Sequence, residues 1–255
     1  MATTLYASGA SAKPPEARNF NITESPINDL LSQKSVRELL QDSSGFIWIR
    51  TQDAIHRYDG YQLQSFHPNQ GGLGTLGHGS GRQLLEDQSG FIWISTLGKG
   101  PAYYDVFSKE FIAIFTPEET PLEQIQNVST LYRDSSGYIW LGYQEGSVRR
   151  LDPLDKQIDM ELDLVDNVGT IVGFAEDLHH NLWVAGARGK VFKCARAPYV
   201  CEEIANFRER HAGFTSSTIS ADGSGGIWIG SVSDGAHIID TTTKTVNEFK
   251  SNPDN

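Results

Sequence analysis

Asp42-Ser43-Ser44-Gly45-Phe46-Ile47-Trp48-Ile49 sets a polar turn against an apolar run within eight residues. The stretch returns as Asp87-Gln88-Ser89-Gly90-Phe91-Ile92-Trp93-Ile94 and as Asp134-Ser135-Ser136-Gly137-Tyr138-Ile139-Trp140-Leu141. Two worn copies run from Asp177 to Val184 and from Asp222 to Ile229. All five tryptophans of the chain lie in a copy, at spacings of 45, 47, 43 and 45 residues. Self-similarity at such a period marks a repeat architecture in which each copy is one supersecondary unit.

The first copy gives the grammar of the unit. Residues 35–41 read as a short strand entering the turn, where Gly45 suits a positive φ and Asp42 can bond the turn's own backbone. Phe46 to Ile49 is apolar on both faces, as a strand sandwiched between two layers must be. Ala54 to Tyr58 alternates as a third strand, and Asp59-Gly60 is a strong hairpin signal leading to a fourth, Tyr61 to Phe66. Four short antiparallel strands per repeat make a propeller blade.

The other copies keep the pattern. An apolar residue stands nine before each tryptophan (Leu39, Leu84, Leu131, Phe174, Ile219) and an aspartate six before (Asp42, Asp87, Asp134, Asp177, Asp222). In the fourth copy His180 replaces the turn glycine, with Asn181, the residue more tolerant of left-handed φ, beside it. Four copies place an aspartate before the last turn: Asp59, Asp105, Asp152 and Asp240. Outer strands end near Phe66, Phe115, Leu164, Phe207 and Phe249, and no stretch reads as a clear helix, one turn at residues 121–126 excepted. The fold expected is all-β, a propeller with about five blades over residues 18–250. Residues 1–17 read as a flexible leader or signal-peptide remnant, and Phe20 to Ile22 as an outer strand of another blade. Residues 251–255 read as the start of the next inter-blade loop, which implies further blades beyond Asn255.

Composition narrows the partners. The formal charge of −11 argues against a nucleic-acid backbone as ligand. The seven histidines show no ligand spacing, and no metal or cofactor is expected. One carboxylate per turn falls far short of the six to eight oxygens of a calcium site, so the repeated aspartate reads as a turn cap. One tryptophan per blade, hemmed by aliphatic neighbours, reads as packing between sheets. Cys194 and Cys201 lie seven apart and admit two readings, a disulfide across a hairpin or two unpaired thiols.

Residues 36–66, with Leu40-Gln41-Asp42-x-x-Gly45-Phe46-Ile47-Trp48-Ile49-x-Thr51-x-Asp53-x-x-x-Arg57-Tyr58-Asp59-Gly60-Tyr61, closely resemble the two-component regulator propeller repeat. The resemblance covers about residues 18–250, strongest in the first copy and weakest in the last two. It implies seven-bladed propellers, often in tandem, forming the periplasmic sensor region of hybrid histidine kinases or diguanylate cyclases. It further implies a dimeric inner-membrane receptor whose β-sandwich, membrane helix and cytoplasmic output domain follow the propeller. Any kinase or cyclase activity would then reside outside these residues, and no catalytic residue is expected within them.

In a propeller, the loops between second and third strands share one face with the links between blades, and pockets favour that face. Candidate ligand-binding residues there are Lys34, His78, Arg82, Gln126, Asn127, Arg188 and Thr215. The expected ligand is a small molecule, such as a carbohydrate. The alternatives are a propeller enzyme (a lyase or glycosidase) and a protein-binding scaffold. A glycosidase would need two carboxylates about 5–10 Å apart in the channel.

Overall fold

The computed structural model describes residues 26–31, 33–67, 83–96, 100–115, 127–164, 167–196 and 198–250. The leader, the Phe20–Ile22 segment, most of the two long links (68–82 and 116–126) and residues 251–255 lie outside them. Among the described residues twenty strands form five four-stranded antiparallel sheets, each in plain sequential order. The first blade is β1 Glu38–Gln41, β2 Ile47–Arg50, β3 Ile55–Tyr58 and β4 Leu63–Phe66. The second is β5 Leu84–Glu86, β6 Ile92–Thr96, β7 Gly100–Asp105 and β8 Glu110–Ala113. The third is β9 Val128–Arg133, β10 Ile139–Tyr143, β11 Val148–Asp152 and β12 Gln157–Leu162. The fourth is β13 Ile171–Glu176, β14 Leu182–Gly186, β15 Lys190–Ala195 and β16 Val200–Asn206. The fifth is β17 Ser216–Ala221, β18 Gly226–Ser231, β19 Ala236–Asp240 and β20 Val246–Phe249. The first strands β1, β5, β9, β13 and β17 neighbour one another in series and so line the channel of a β-propeller.

The turn carries more than the sequence discloses. In the first blade Asp42 Oδ1 accepts the backbone N–H groups of Ser44 and Phe46 at 3.0 and 2.9 Å. Its other oxygen accepts the indole N–H of Trp48 at 2.7 Å. The indole bond recurs in every blade: Asp87–Trp93 at 2.7 Å, Asp134–Trp140 and Asp177–Trp183 at 2.9 Å, and Asp222–Trp228 at 3.1 Å. An indole N–H buried without a partner costs about 1–3 kcal/mol, so the six-residue spacing is a requirement of burial.

Each tryptophan then enters the next blade. Trp48 packs on Leu84, Ile92 and Ile94, and Trp93 on Leu131, Ile139 and Leu141. Trp140 meets Phe174, Leu182 and Val184, and Trp183 meets Ile219, Ile227 and Ile229. Each tryptophan thus shares its cluster with the residues nine before, one before and one after the neighbouring tryptophan. Burying one indole contributes up to about 4–6 kcal/mol, from roughly 150–250 Å² at about 25 cal/mol per Å². At the two ends of the series the joint has no mate among the described residues. Leu39 is 64% exposed, and Trp228, only part-buried, stacks instead on Phe249 of its own blade.

Several details depart from the sequence reading. The strand expected at residues 35–41 is confined to Glu38–Gln41, and Tyr61 stands exposed in a turn rather than opening β4. In the fourth blade His180 itself takes the left-handed conformation (φ 59°). Asn181 serves the turn differently, its side-chain amide donating to both oxygens of Asp177 at 3.0 and 2.9 Å. A one-turn helix, α1 Phe207–Arg210, occupies the link to the fifth blade, where no helix was expected. It forms because Phe207 is buried and stacks on Phe214 at 4.8 Å, which folds the link back on itself. Cys194 and Cys201 face each other across β15 and β16 and are joined in a disulfide.

Two outcomes are expected. Asp134→Ala leaves the buried Trp140 indole without an acceptor and should lower urea-unfolding stability by about 2–4 kcal/mol; a loss under about 1 kcal/mol would refute the joint's role. Burial pushes the Asp177 carboxyl up, but bonds from Trp183, Asn181 and His179 outweigh it and hold it at about 2. Below its unfolded value, this pKa makes the aspartate stabilising above about pH 4, and that stability drains as pH falls toward 2. Its share is about 2 kcal/mol, and Asp177→Asn should flatten that part of an acid-unfolding curve.

Candidate functional site: the mouth of the central channel

All five blades contribute to one open cavity of about 590 Å³, four through their first strands and the second through Gln83, just before β5. Its polar wall includes Arg37, Glu38, Arg50, Gln83, Ser129, Thr130, Ser217 and Thr218, and Leu131, Tyr132, Val172, Phe174 and Ile219 form its apolar part. Except for Arg50 at the end of β2, the polar residues stand near the starts of the first strands, so the cavity opens on the face of the inter-blade links. Alternation along each first strand explains the lining. The residue nine before tryptophan faces the preceding blade's indole, so the residue ten before faces the following blade beside the channel.

Those positions stitch one blade to the next. Glu38 of the first blade accepts the backbone N–H of Leu84 in the second at 3.0 Å. Gln83 of the second blade uses its carboxamide oxygen to accept Thr130 Oγ1 at 2.9 Å and the Leu131 N–H at 2.7 Å. In the third blade the position is Thr130, and one residue earlier Ser129 donates to the Ile171 carbonyl of the fourth blade at 2.7 Å and to the Gly142 carbonyl at 2.9 Å. In the fourth blade the equivalent residue is Gly173, where an added Cβ would stand 3.0 Å from Ile219 Cγ2.

The first blade also departs two residues after tryptophan. Ser95, Gly142, Ala185 and Gly230 are small there, but the first blade carries Arg50. A Cβ at Gly142 would come within 2.6 Å of Ile171 and 2.7 Å of Thr130, so that seam admits no larger side chain. Arg50 fits because its Nε donates to Glu38 at 3.0 Å, forming a partly buried ion pair in the cavity wall. Burial raises the Glu38 carboxyl above its ordinary range, against the opposing pull of Arg50 and the Leu84 N–H. The pair brings a guanidinium, a carboxylate and the Gln83 amide together at one seam.

Four of the seven residues proposed from sequence are described. Lys34 is exposed and lies 3.9 Å from Asp29. Asn127, in left-handed conformation, uses its carbonyl to accept the Gln144 N–H. Arg188 covers Gly169 with its methylenes, and the Thr215 carbonyl accepts the Val232 N–H. All four sit on the link face and none lines the cavity. His78, Arg82 and Gln126 lie outside the described residues. The lining falls one to three residues further along the chain, at Arg37, Gln83, Ser129 and Ser217, ten or eleven residues before the tryptophan of each blade, a register that the sequence could have indicated.

A smaller cavity of about 250 Å³ lies on the same face in the third blade, with Glu145, Glu161 and Asp163 in its wall. Two serines bond histidines elsewhere: Ser65 to His56 at 2.8 Å and Ser135 to His180 at 3.0 Å. Neither pair touches the channel. Among the described residues no three His, Cys, Asp or Glu side chains are arranged to hold a metal ion.

No protein-family model matches the chain, and no curated protein matches it by sequence. Its fold is shared with solved propellers. The extracellular domain of a B. thetaiotaomicron protein described as a hybrid two-component system aligns at TM-score 0.66 and 20% identity, covering 86% of this chain and 30% of that one. Virginiamycin B lyase from Staphylococcus aureus aligns at 0.64 and 13%, covering 85% and 70%. PorZ, a surface component of the type-IX secretion system of Porphyromonas gingivalis, aligns at 0.60 and 12%, covering 88% and 35%. The chain thus spans about a third of the two-component domain and about two thirds of the lyase.

Gln83→Ala is expected to lower stability by about 1–3 kcal/mol, because the Leu131 N–H loses its acceptor beside a buried side chain. A variant as stable as wild type, by chemical denaturation, would show that this stitch contributes nothing.

Proposed function

We propose that this chain is a ligand-sensing propeller module of an extracytoplasmic bacterial receptor, and that it binds a small polar molecule at the channel mouth. The observation that carries the reading is the convergence of all five blades on one polar cavity of about 590 Å³, within the size range of small-molecule sites. Guanidinium, carboxylate, carboxamide and hydroxyl groups in that wall suit a ligand rich in hydroxyls, such as a carbohydrate. The likeness to the two-component regulator propeller repeat and the shared fold with extracellular domains of two-component systems support the receptor context. In that setting the module belongs to a seven-bladed propeller on the periplasmic side of a membrane-anchored dimer. A β-sandwich, a membrane helix and a kinase or cyclase output would follow it in the same protein.

A stitch shared by cavity and seam offers a route for the signal. A ligand that competes for Glu38 or Gln83 changes how the first three blades meet, and a coupling of about 1–3 kcal/mol suffices for a receptor. The lyase reading finds its support in fold alone, since the two serine–histidine pairs lie off the cavity.

The test is a thermal-shift screen of the chain against neutral and acidic mono- and oligosaccharides. A ligand at a hundred times its Kd should add about 2.7 kcal/mol of stability, and Arg50→Ala should abolish the shift. Turnover of a hit, followed by mass spectrometry, would replace the sensor reading with the enzymatic one. A hit whose shift survives Arg50→Ala and Gln83→Ala would move the site elsewhere.

A further inference from the structure

The link between the fourth and fifth blades ends in an imidazole held between two carboxylates. His211 follows α1, with Nδ1 3.3 Å from Asp234 Oδ2 and Nε2 2.8 Å from Glu248 Oε1. Asp234 belongs to the loop between β18 and β19, and Glu248 to β20, so both anions come from the fifth blade. Lys250 lies 3.4 Å from Asp234 Oδ1 and 3.5 Å from Glu248 Oε2. His237 of β19 is fully buried against Phe207 and Phe214, and its Nε2 is 3.6 Å from the same Asp234 Oδ2. Neither ring nitrogen of His237 nor that aspartate oxygen has a hydrogen-bond partner. On the helix itself Arg208 donates to the Phe214 carbonyl, and Glu209 accepts from Asn206.

Nε2 hydrogen-bonds Glu248, while Nδ1 stands within ion-pair distance of Asp234 Oδ2 without a hydrogen bond. A charged ring is attracted to both anions, whereas a neutral ring that keeps one of them turns a lone pair toward the other. We infer that His211 is a proton-operated clamp, holding the link 207–216 onto the fifth blade when charged and releasing it when neutral. Lys250 retains both carboxylates when His211 loses its proton, so the anions stay with the blade and the link is the part set free. The bond from His211 also holds the Glu248 carboxyl below its ordinary range, the response expected of a charge-assisted pair. The released segment runs directly into Ser217 and Thr218, two residues of the cavity wall. Control of ligand binding by this clamp rests on the channel-mouth reading above; the clamp itself does not.

Amide hydrogen exchange of the ligand-free chain separates the two. Protection factors, corrected for intrinsic pH dependence, are read at the His211 and Phe214 amides, whose acceptors are the Phe207 and His211 carbonyls. In wild type they should fall roughly five- to tenfold between pH 5.5 and 8.5, the span in which histidine titrates. His211→Gln should be low and flat across that range, and Glu248→Gln should weaken the pH dependence while leaving the blades folded. Wild-type protection that does not change with pH would overturn the clamp. So would a pH response retained in His211→Gln, or one abolished by chelator and restored by Zn²⁺, which would make the cluster a metal site.

Discussion

One bond governs the architecture: the indole N–H of each blade's tryptophan to the aspartate six residues earlier. A propeller joint needs a large apolar side chain between sheets, and tryptophan supplies the largest, but with a polar N–H that must be satisfied in the interior. Taking the acceptor from the blade's own turn makes each unit self-sufficient. The same carboxylate holds two backbone amides of the turn, so turn shape, strand register and joint packing depend on one side chain. A solution that needs nothing from a neighbour can be repeated, which is why the aspartate survives in every copy while the surrounding residues drift.

Seams between blades are handled by residues that do not repeat. At the turn face Glu86 caps the Ser43 amide of the preceding blade at 2.8 and 3.0 Å, and Glu176 does the same for Ser135 at 2.7 Å. Between them the equivalent residue is Arg133, which donates instead to the Glu86 carbonyl. In the fifth blade it is Ala221, and only a small cavity bordered by Glu176 and Ala221 separates the turns. Each seam has its own chemistry, so the blades are interchangeable in fold but not in position.

The blade was legible because its signals are local. Gly45 takes φ +88° at the expected turn, and the apolar residues around tryptophan fall where alternation puts them. The ring of joints followed from the repeat. The indole bond was not legible, since an aspartate in a turn is explained by the backbone alone and nothing in composition reveals a second acceptor. The cavity wall was harder still. Gln83 and Glu38 are ordinary polar residues in sequence, and their meaning depends on partners in a neighbouring blade 46, 47 and 48 residues away. The helix at Phe207 escaped notice because its cause, stacking on Phe214, is tertiary.

These two kinds of contact give the molecule its division of labour. The tryptophan joints lie deep between sheets, are apolar, and resist small displacements because close-packed interiors do not deform continuously. The stitches at the channel are few, polar and part-buried beside the cavity. The mouth carries its own departures from the repeat: Arg50 stands where other blades have a small residue, and Gly173 where the first two have Glu38 and Gln83. Where the copies agree the sequence builds a scaffold, and the freedom left over is located where a ligand can reach it.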